Sequence, residues 1–262
     1  MLQLKKSIHL ESLNLPLKKA IHVAADLGAD AVEINARTQL RPDELSRTGV
    51  RHFRKMLADL NLKVAAIHFP TRRGYNITDD LDRRIDATKA AMNMAFDLGC
   101  QVVCNHIGRV PDDPESEGWR TMTQALMDLG NYSHKAGAWL AAKTGTEEGE
   151  KLNNFLSVLP LGAVGVDFDP GNLVINGFSA SDSMTALAER VLNFRARDAV
   201  QDLAAGRGLE VQLGRGTIDL AFLLSALEEK SYSGYITIER QTDENAVVEC
   251  GQAIEYLTNV FS

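Results

Sequence analysis

Eight short apolar runs, each followed by a longer stretch of helical periodicity, recur from one end of the chain to the other. The runs are Lys6–Leu10, Ala31–Ala36, Lys63–Phe69, Gln101–Ile107, Ala138–Thr144, Val164–Asp169, Val191–Asp198 and Tyr235–Glu239. The amphipathic stretches are Pro16–Leu27, Ser46–Leu60, Asp79–Leu98, Trp119–Ala136, Glu147–Leu159, Ser181–Glu189, Asp219–Lys230 and Glu244–Val260. Pro16 suits a first helical turn, and Gly28, Gly99 and Gly137 stand where three of the helices should stop. Strand then helix, repeated, specifies parallel βαβ units. Eight units in 262 residues predict an α/β fold, a (β/α)8 TIM barrel forming one domain over residues 1–262. An open doubly wound sheet has five or six strands, and no Gly-x-Gly-x-x-Gly follows the first run here.

Composition narrows the function classes. Apolar residues are 45% and charged residues 24%, enough for a real core. A net charge of −7 argues against a broad basic face for a nucleic-acid backbone. The three cysteines, Cys100, Cys104 and Cys250, include no Cys-x-x-Cys pair, and Cys104 lies in an apolar run as a buried thiol would. No segment has the apolar core of a leader or the 18 residues of a membrane span, so a cytoplasmic location is expected.

In a barrel the chemistry gathers where strands end and βα loops begin. Those ends carry His9, Glu11, Glu33, Asn35, His68, Asn105, His106, Lys143, Glu147, Asp167, Asp169, Asn172, Arg195, Arg197, Asp198, Glu210 and Glu239. Strand alternation sends Asp167 and Asp169 to one side and Phe168 to the other. Pro170 and Gly171 stop the strand and fix Asp169 at the rim, where a turn-capping role is the competing reading. Glu239 closes an apolar strand, where a carboxylate is costly to bury without a partner.

Five segments carry a resemblance. They are Thr144-Gly145-Thr146-Glu147, Gly165-Val166-Asp167-Phe168-Asp169-Pro170-Gly171-Asn172-Leu173, Ala196-Arg197-Asp198-Ala199, and the closing pair Glu210–Gly216 and Gly234–Arg240. In this order they resemble the xylose isomerase-like TIM barrels, a family of sugar and sugar-phosphate isomerases and epimerases. The resemblance implies a divalent cation (Mn, Mg or Zn) held by Glu, Asp, His and Glu from strands 5 to 8. Carried over, the Asp is Asp169 and the last Glu is Glu239, but the other two positions are Lys143 and Arg195. All six histidines lie before residue 135, so none in the second half can substitute.

An ammonium and a guanidinium have no lone pair to give a metal. At 4 Å and an effective dielectric of 20, one such charge repels a dication by roughly 8 kcal/mol. No tightly bound metal and no other cofactor is therefore expected at Asp169 and Glu239. Lys143 and Arg195 should instead pair with those two acids.

The first functional expectation is a sugar or sugar-phosphate isomerase or epimerase that moves a proton next to a carbonyl. Glu239, Asp169, Lys143, Arg195 and Glu147 are its candidate catalytic residues, with Glu239 or Glu147 as base. The competing reading of Glu147 is a first-turn helix residue. His68, Arg72, Arg73, His106, Asn172 and Glu210 are candidate substrate-binding residues, Arg72 and Arg73 being suited to a phosphate or carboxylate. The second expectation is a non-catalytic relative that binds a small anionic sugar or sugar acid. A third class, the DNA-repair endonucleases of the same barrel, is disfavoured by the charge and the missing ligands. The expected partner is a small sugar or sugar phosphate, with no nucleic acid and no membrane; homo-oligomerisation stays open.

Overall fold

The computed structural model describes residues 4–202, 207–241 and 245–261. In chain order its strands are β1 (Lys6–His9), β2 (Ala31–Asn35), β3 (Lys63–His68), β4 (Val102–Asn105), β5 (Trp139–Lys143), β6 (Val164–Phe168), β7 (Val191–Ala196), β8 (Asp198–Val200), β9 (Leu209–Val211) and β10 (Ile236–Ile238). The helices are α1 (Leu17–Asp26), α2 (Arg47–Asp59), α3 (Leu81–Leu98), α4 (Glu117–Ala136), α5 (Gly149–Leu156), α6 (Pro170–Ile175), α7 (Ala180–Leu187), α8 (Leu220–Glu229) and α9 (Ala246–Phe261). Eight parallel strands close into a barrel in the order β1-β10-β7-β6-β5-β4-β3-β2. The expected single-domain (β/α)8 barrel is the fold, and each apolar run supplies one of its strands.

Two elements were not expected. The loop after β7 folds into a two-stranded antiparallel ribbon, β8 with β9. A six-residue helix, α6, starts at Pro170 directly behind β6, with Asp169 as its cap: Asp169 Oδ1 accepts from Asn172 N at 2.8 Å. Residue 244, the expected start of the last helix, lies outside the described residues.

The main apolar core lies between the strands and the helices, where Phe168 and Phe194 stack at 5.9 Å. The inside of the barrel is different. Its only apolar cluster among the described residues is small, Ala66, Cys104 and Ala141, with Val102 and Leu192 beside it. Polar groups share the space: Thr237 Oγ1 donates to Asn193 Oδ1 at 2.9 Å, and Asn193 Nδ2 to Asp167 Oδ1 at 2.8 Å. Small side chains leave room for larger charged ones above them.

Two register slips fix which side chains face inward. Val32 pairs with Val64 but Glu33 pairs with Ala66, so Ala65 is an extra residue in β3. Val166 pairs with Val191 but Asp167 pairs with Asn193, so Leu192 is an extra residue in β7. Because strand side chains alternate, one added residue transfers everything after it to the other face. The first slip turns Ala66 and His68 toward the face of Glu33. The second turns Asn193 and Arg195 toward the face of Asp167.

Candidate functional site

The carboxyl ends of β5, β6, β7 and β10 place Lys143, Asp169, Arg195 and Glu239 together, all nearly or fully buried. Lys143 Nζ donates to Glu239 Oε1 at 3.1 Å and Oε2 at 3.0 Å, and lies 3.1 Å from Asp169 Oδ2. Arg195 Nη1 donates to Glu239 Oε2. Arg195 does not reach Asp169 as an ion pair. Its guanidinium binds Glu33 through Nη2 to Oε1 at 2.8 Å and Nη1 to Oε2 at 2.9 Å, and its Nε donates to Asp167 Oδ2 at 2.8 Å. The second cation on Asp169 is Arg197, whose Nη1 donates to Asp169 Oδ2 at 2.7 Å. Arg197 also donates to Glu210 Oε2 at 2.8 Å, and Glu210 is in turn 2.7 Å from Arg240.

The pattern is a closed set of charges. Glu33, Asp167, Asp169 and Glu239 are matched by His9, Lys143, Arg195 and Arg197, every one of them buried. Burial alone would raise the Glu239 carboxyl, but the charges of Lys143, Arg195 and Arg197 hold it well below its ordinary value. Asp169 is also burdened by burial and is lowered by Arg197 and Lys143. Burial pushes Asp167 up against the pull of Arg195. With a guanidinium nitrogen at 2.8 Å it remains the anionic partner. Burial would lower His9, but the Glu33 charge and hydrogen bonds to Glu11 and Glu33 outweigh it, and its pKa rises to about 9.

The other half of the mouth is built on β1, β2, β3 and the end of β4. His9 Nδ1 donates to Glu33 Oε2 at 3.1 Å, and its Nε2 lies 3.5 Å from Glu11 Oε2. Glu11 also accepts from Asn35 Nδ2 at 2.6 Å and from Thr38 Oγ1. The rings of His9 and His68 are 5.0 Å apart, and those of His68 and His106 are 6.4 Å apart. Burial and the charge of His9 hold His68 well below the ordinary value. Burial, Lys143 and Arg195 bring His106 down to about 4. Both imidazoles are neutral near pH 7.

Other candidates take different places. Glu147 is not in the first turn of α5; it precedes that helix and ties loops together, accepting from Val110 N at 2.9 Å and from Thr146 Oγ1 at 2.7 Å. Burial raises its carboxyl. Asn172 Nδ2 donates to the carbonyl of Thr144 at 2.7 Å, bracing the β5 end against α6. Gly145 beside it has φ +118°, and an added Cβ would lie 2.1 Å from Asn172 Nδ2, so only glycine fits there. Arg73 is exposed and pairs with Asp79 at 2.8 Å, and Arg72 is exposed next to it. Glu33, Asp167 and Arg197 were visible only as polar strand ends, with no signal of their central place. A cavity of about 710 Å³ opens at the opposite end of the barrel, among Lys63, Trp139, Glu189, Lys230 and Tyr235. Its lining carries the Lys230–Glu189 pair, 2.7 Å apart, and lies away from the charged groups at the carboxyl end.

The sequence profile of the xylose isomerase-like TIM barrels matches residues 21–260. The chain belongs to that family. No curated protein matches it. Its fold is that of a xylose isomerase domain protein from Planctomyces limnophilus (TM-score 0.84, 23% identity, covering 97% of this chain and 95% of the other). A xylose isomerase-like TIM barrel protein from Mycobacterium smegmatis, solved in complex with magnesium, aligns at TM-score 0.77 and 16% identity over 99% and 96% of the two chains. A D-allulose 3-epimerase from Methylomonas sp., in complex with D-allulose, aligns at 0.76 and 19% over 99% and 98%. The donors at this chain's family position do not fit a divalent cation. Lys143 Nζ stands between Asp169 and Glu239 within 3.1 Å of both, and neither it nor Arg195 can donate an electron pair. No described helix is long and apolar enough to cross a membrane.

Proposed function

We propose that this xylose isomerase-like barrel is a sugar or sugar-phosphate isomerase- or epimerase-like protein whose Lys143 ammonium serves in place of a divalent cation at the family position. The observation that carries this reading is the seat of Lys143 between Asp169 and Glu239, which keeps a permanent cation at the strand ends. With Glu239 sharing one hydrogen and Asp169 taking another, a third N–H is left for a substrate oxygen. A donor fixed where charge develops on a carbonyl oxygen stabilises an enediolate without reorganisation. Glu239 is a poor base in this arrangement, because Lys143 and Arg195 stabilise its anion. Glu147 is committed to Val110 and Thr146. The half-buried His106 is also a weak base, brought down to about 4 by burial, Lys143 and Arg195, but unlike Glu239 it is held in no ion pair among the described residues, and we assign it the role of proton acceptor. Family membership and a fold neighbour solved with D-allulose support a sugar as the substrate class.

A second reading, a non-catalytic binder of a small sugar acid, is favoured by the same pinning of Glu239. The experiment is a panel of neutral and phosphorylated aldoses and ketoses in deuterated water, read by NMR for exchange beside the carbonyl and by thermal shift. Exchange is expected, is lost in Lys143→Met, and drops about 100-fold or more in His106→Ala. Stabilisation without exchange supports the second reading, and neither effect with any sugar overturns both.

A further inference from the structure

His68 is 9% exposed, and both of its ring nitrogens are buried without a protein hydrogen-bond partner. A buried polar group left unmatched is destabilising, so one that a native fold keeps is matched from outside the chain, by a water or an ion. The nitrogens are not isolated from other donors. One donor atom each from His9, Glu11 and His68 lies within 4.8 Å of the other two. In a tetrahedron with bonds of about 2.1 Å, ligand atoms stand roughly 3.4 Å apart, so small side-chain rotations would bring the three into register.

We propose that His9, Glu11 and His68 form a mononuclear site for a divalent transition metal of the zinc class, on the β1–β3 side of the barrel mouth. The chemistry of the donors selects the metal. Two imidazoles and one carboxylate suit zinc and its neighbours rather than magnesium or calcium, which take oxygen ligands. Three protein ligands leave a fourth position, and Glu11, whose side chain is 35% exposed, places it on the solvent side.

The surroundings are already those of a built site. A ligating histidine normally donates its other N–H to a carboxylate, which fixes the tautomer and the ring. His9 Nδ1 does so to Glu33 at 3.1 Å, leaving Nε2 for the metal, and that nitrogen faces Glu11 at 3.5 Å. Glu33 is itself clamped by Arg195, so the ring of His9 has a rigid support. Glu11 is held from behind by Asn35 and Thr38. On binding, the ion replaces the hydrogen between His9 Nε2 and Glu11, and His68 gains the partner it lacks. This site is separate from the Asp169 and Glu239 position, and it stands whether or not the chain turns over a sugar.

The test uses the full chain after chelator dialysis, titrated with Co2+ by visible absorption and with Zn2+ by calorimetry. One ion per chain is expected, with the d–d bands of a low-symmetry four- or five-coordinate Co2+. His68→Ala and Glu11→Gln should each weaken binding about 100-fold or more, and Thr38→Ala, which touches only the support of Glu11, about 10-fold. His68→Ala breaks no protein hydrogen bond and Glu11 is partly exposed, so folded variants are expected, to be checked by circular dichroism. Absence of a Co2+ band, or affinity unchanged in both His68→Ala and Glu11→Gln, overturns the site. Binding abolished by Asp169→Asn but kept in His68→Ala overturns it too, by placing the ion at the family position. Sugar exchange without metal binding would refute this proposal and leave the isomerase reading intact.

Discussion

Replacing Lys143 with methionine isolates what the buried cation contributes. The substitution keeps the volume of the stem and removes the charge that sits within 3.1 Å of both Asp169 and Glu239. The closed set of four acids and four cations then carries a buried net charge of one. Leaving a buried pair half-unmatched costs about 3–5 kcal/mol. Asp169 retains Arg197 and Glu239 retains Arg195, so the lower end, about 3 kcal/mol, is expected at pH 7. For a chain of this size that lowers Tm by roughly 6–12 °C. The loss should shrink in acid, because one of the two exposed-to-repulsion carboxylates can take up a proton. Adding Glu239→Gln removes the uncompensated charge directly, so the double variant should be more stable than the sum of the single effects predicts. Calorimetry and urea unfolding of the parent, both single variants and the double variant measure this. A Tm change under about 2 °C for Lys143→Met, or strict additivity in the cycle, would refute the network as described.

Acid should unfold the protein early. Glu11, Glu33, Asp169 and Glu239 are all depressed by their partners, Glu11 to about 2. Depressed carboxylates add stability that is complete above their unfolded values, near 4.5 for Glu and 3.8 for Asp, and is lost as pH falls through the folded ones. Asp167 and Glu147, both raised by burial, work in the opposite direction but are fewer. His68 and His106, held neutral by burial, add a loss of their own as the unfolded imidazoles take up protons below about 6.5, and the raised His9 offsets only part of it. The urea midpoint should therefore already decline from pH 7 to about 5 and fall further below it; a level profile down to about pH 3 contradicts this. The pair Lys143→Glu with Arg195→His rebuilds the family's donor set on paper, yet should abolish cooperative unfolding rather than restore a metal, because Glu33 and Asp167 lose their guanidinium. A folded, Mn2+-binding double variant would show that the site tolerates the loss. Native protein should present no thiol to a disulfide reagent and three in denaturant, since burial raises Cys100 and Cys250 to about 12 and holds Cys104 well above its ordinary value.

The barrel was legible because each strand is a short apolar run of its own, and Lys143 and Arg195 stood out because they occupy positions where the resemblance implies ligands. Asp169 takes the turn-capping place weighed for it with one oxygen, capping α6, and binds the cations Arg197 and Lys143 with the other. The partner of Arg195 was not legible. Glu33 lies 162 positions away in sequence, and the two meet only because β7 and β3 each carry one extra residue. Leu192 and Ala65 look like ordinary strand residues, and strict alternation would have sent Arg195 and His68 to the wrong faces. The ribbon β8–β9 was hidden for a related reason. Its anchor is Asp198, which accepts from the backbone of Gly214 and Gly216 at 3.0 and 2.8 Å, contacts made across a loop with no periodicity.

The closed charge set also constrains how such a barrel can change over generations. Any single replacement among Glu33, Asp167, Asp169, Glu239, Lys143, Arg195 and Arg197 leaves an unmatched charge in a space with no solvent to absorb it. An arginine at position 195 depends on the acid on β2, so the two are expected to change together. Losing either Arg195 or Lys143 strands two acids at once, Glu33 and Asp167 in one case and part of the support of Asp169 and Glu239 in the other. The arrangement therefore behaves as a lock: exchanges that remove one charge at a time lead to less stable proteins, and only paired exchanges keep the mouth balanced.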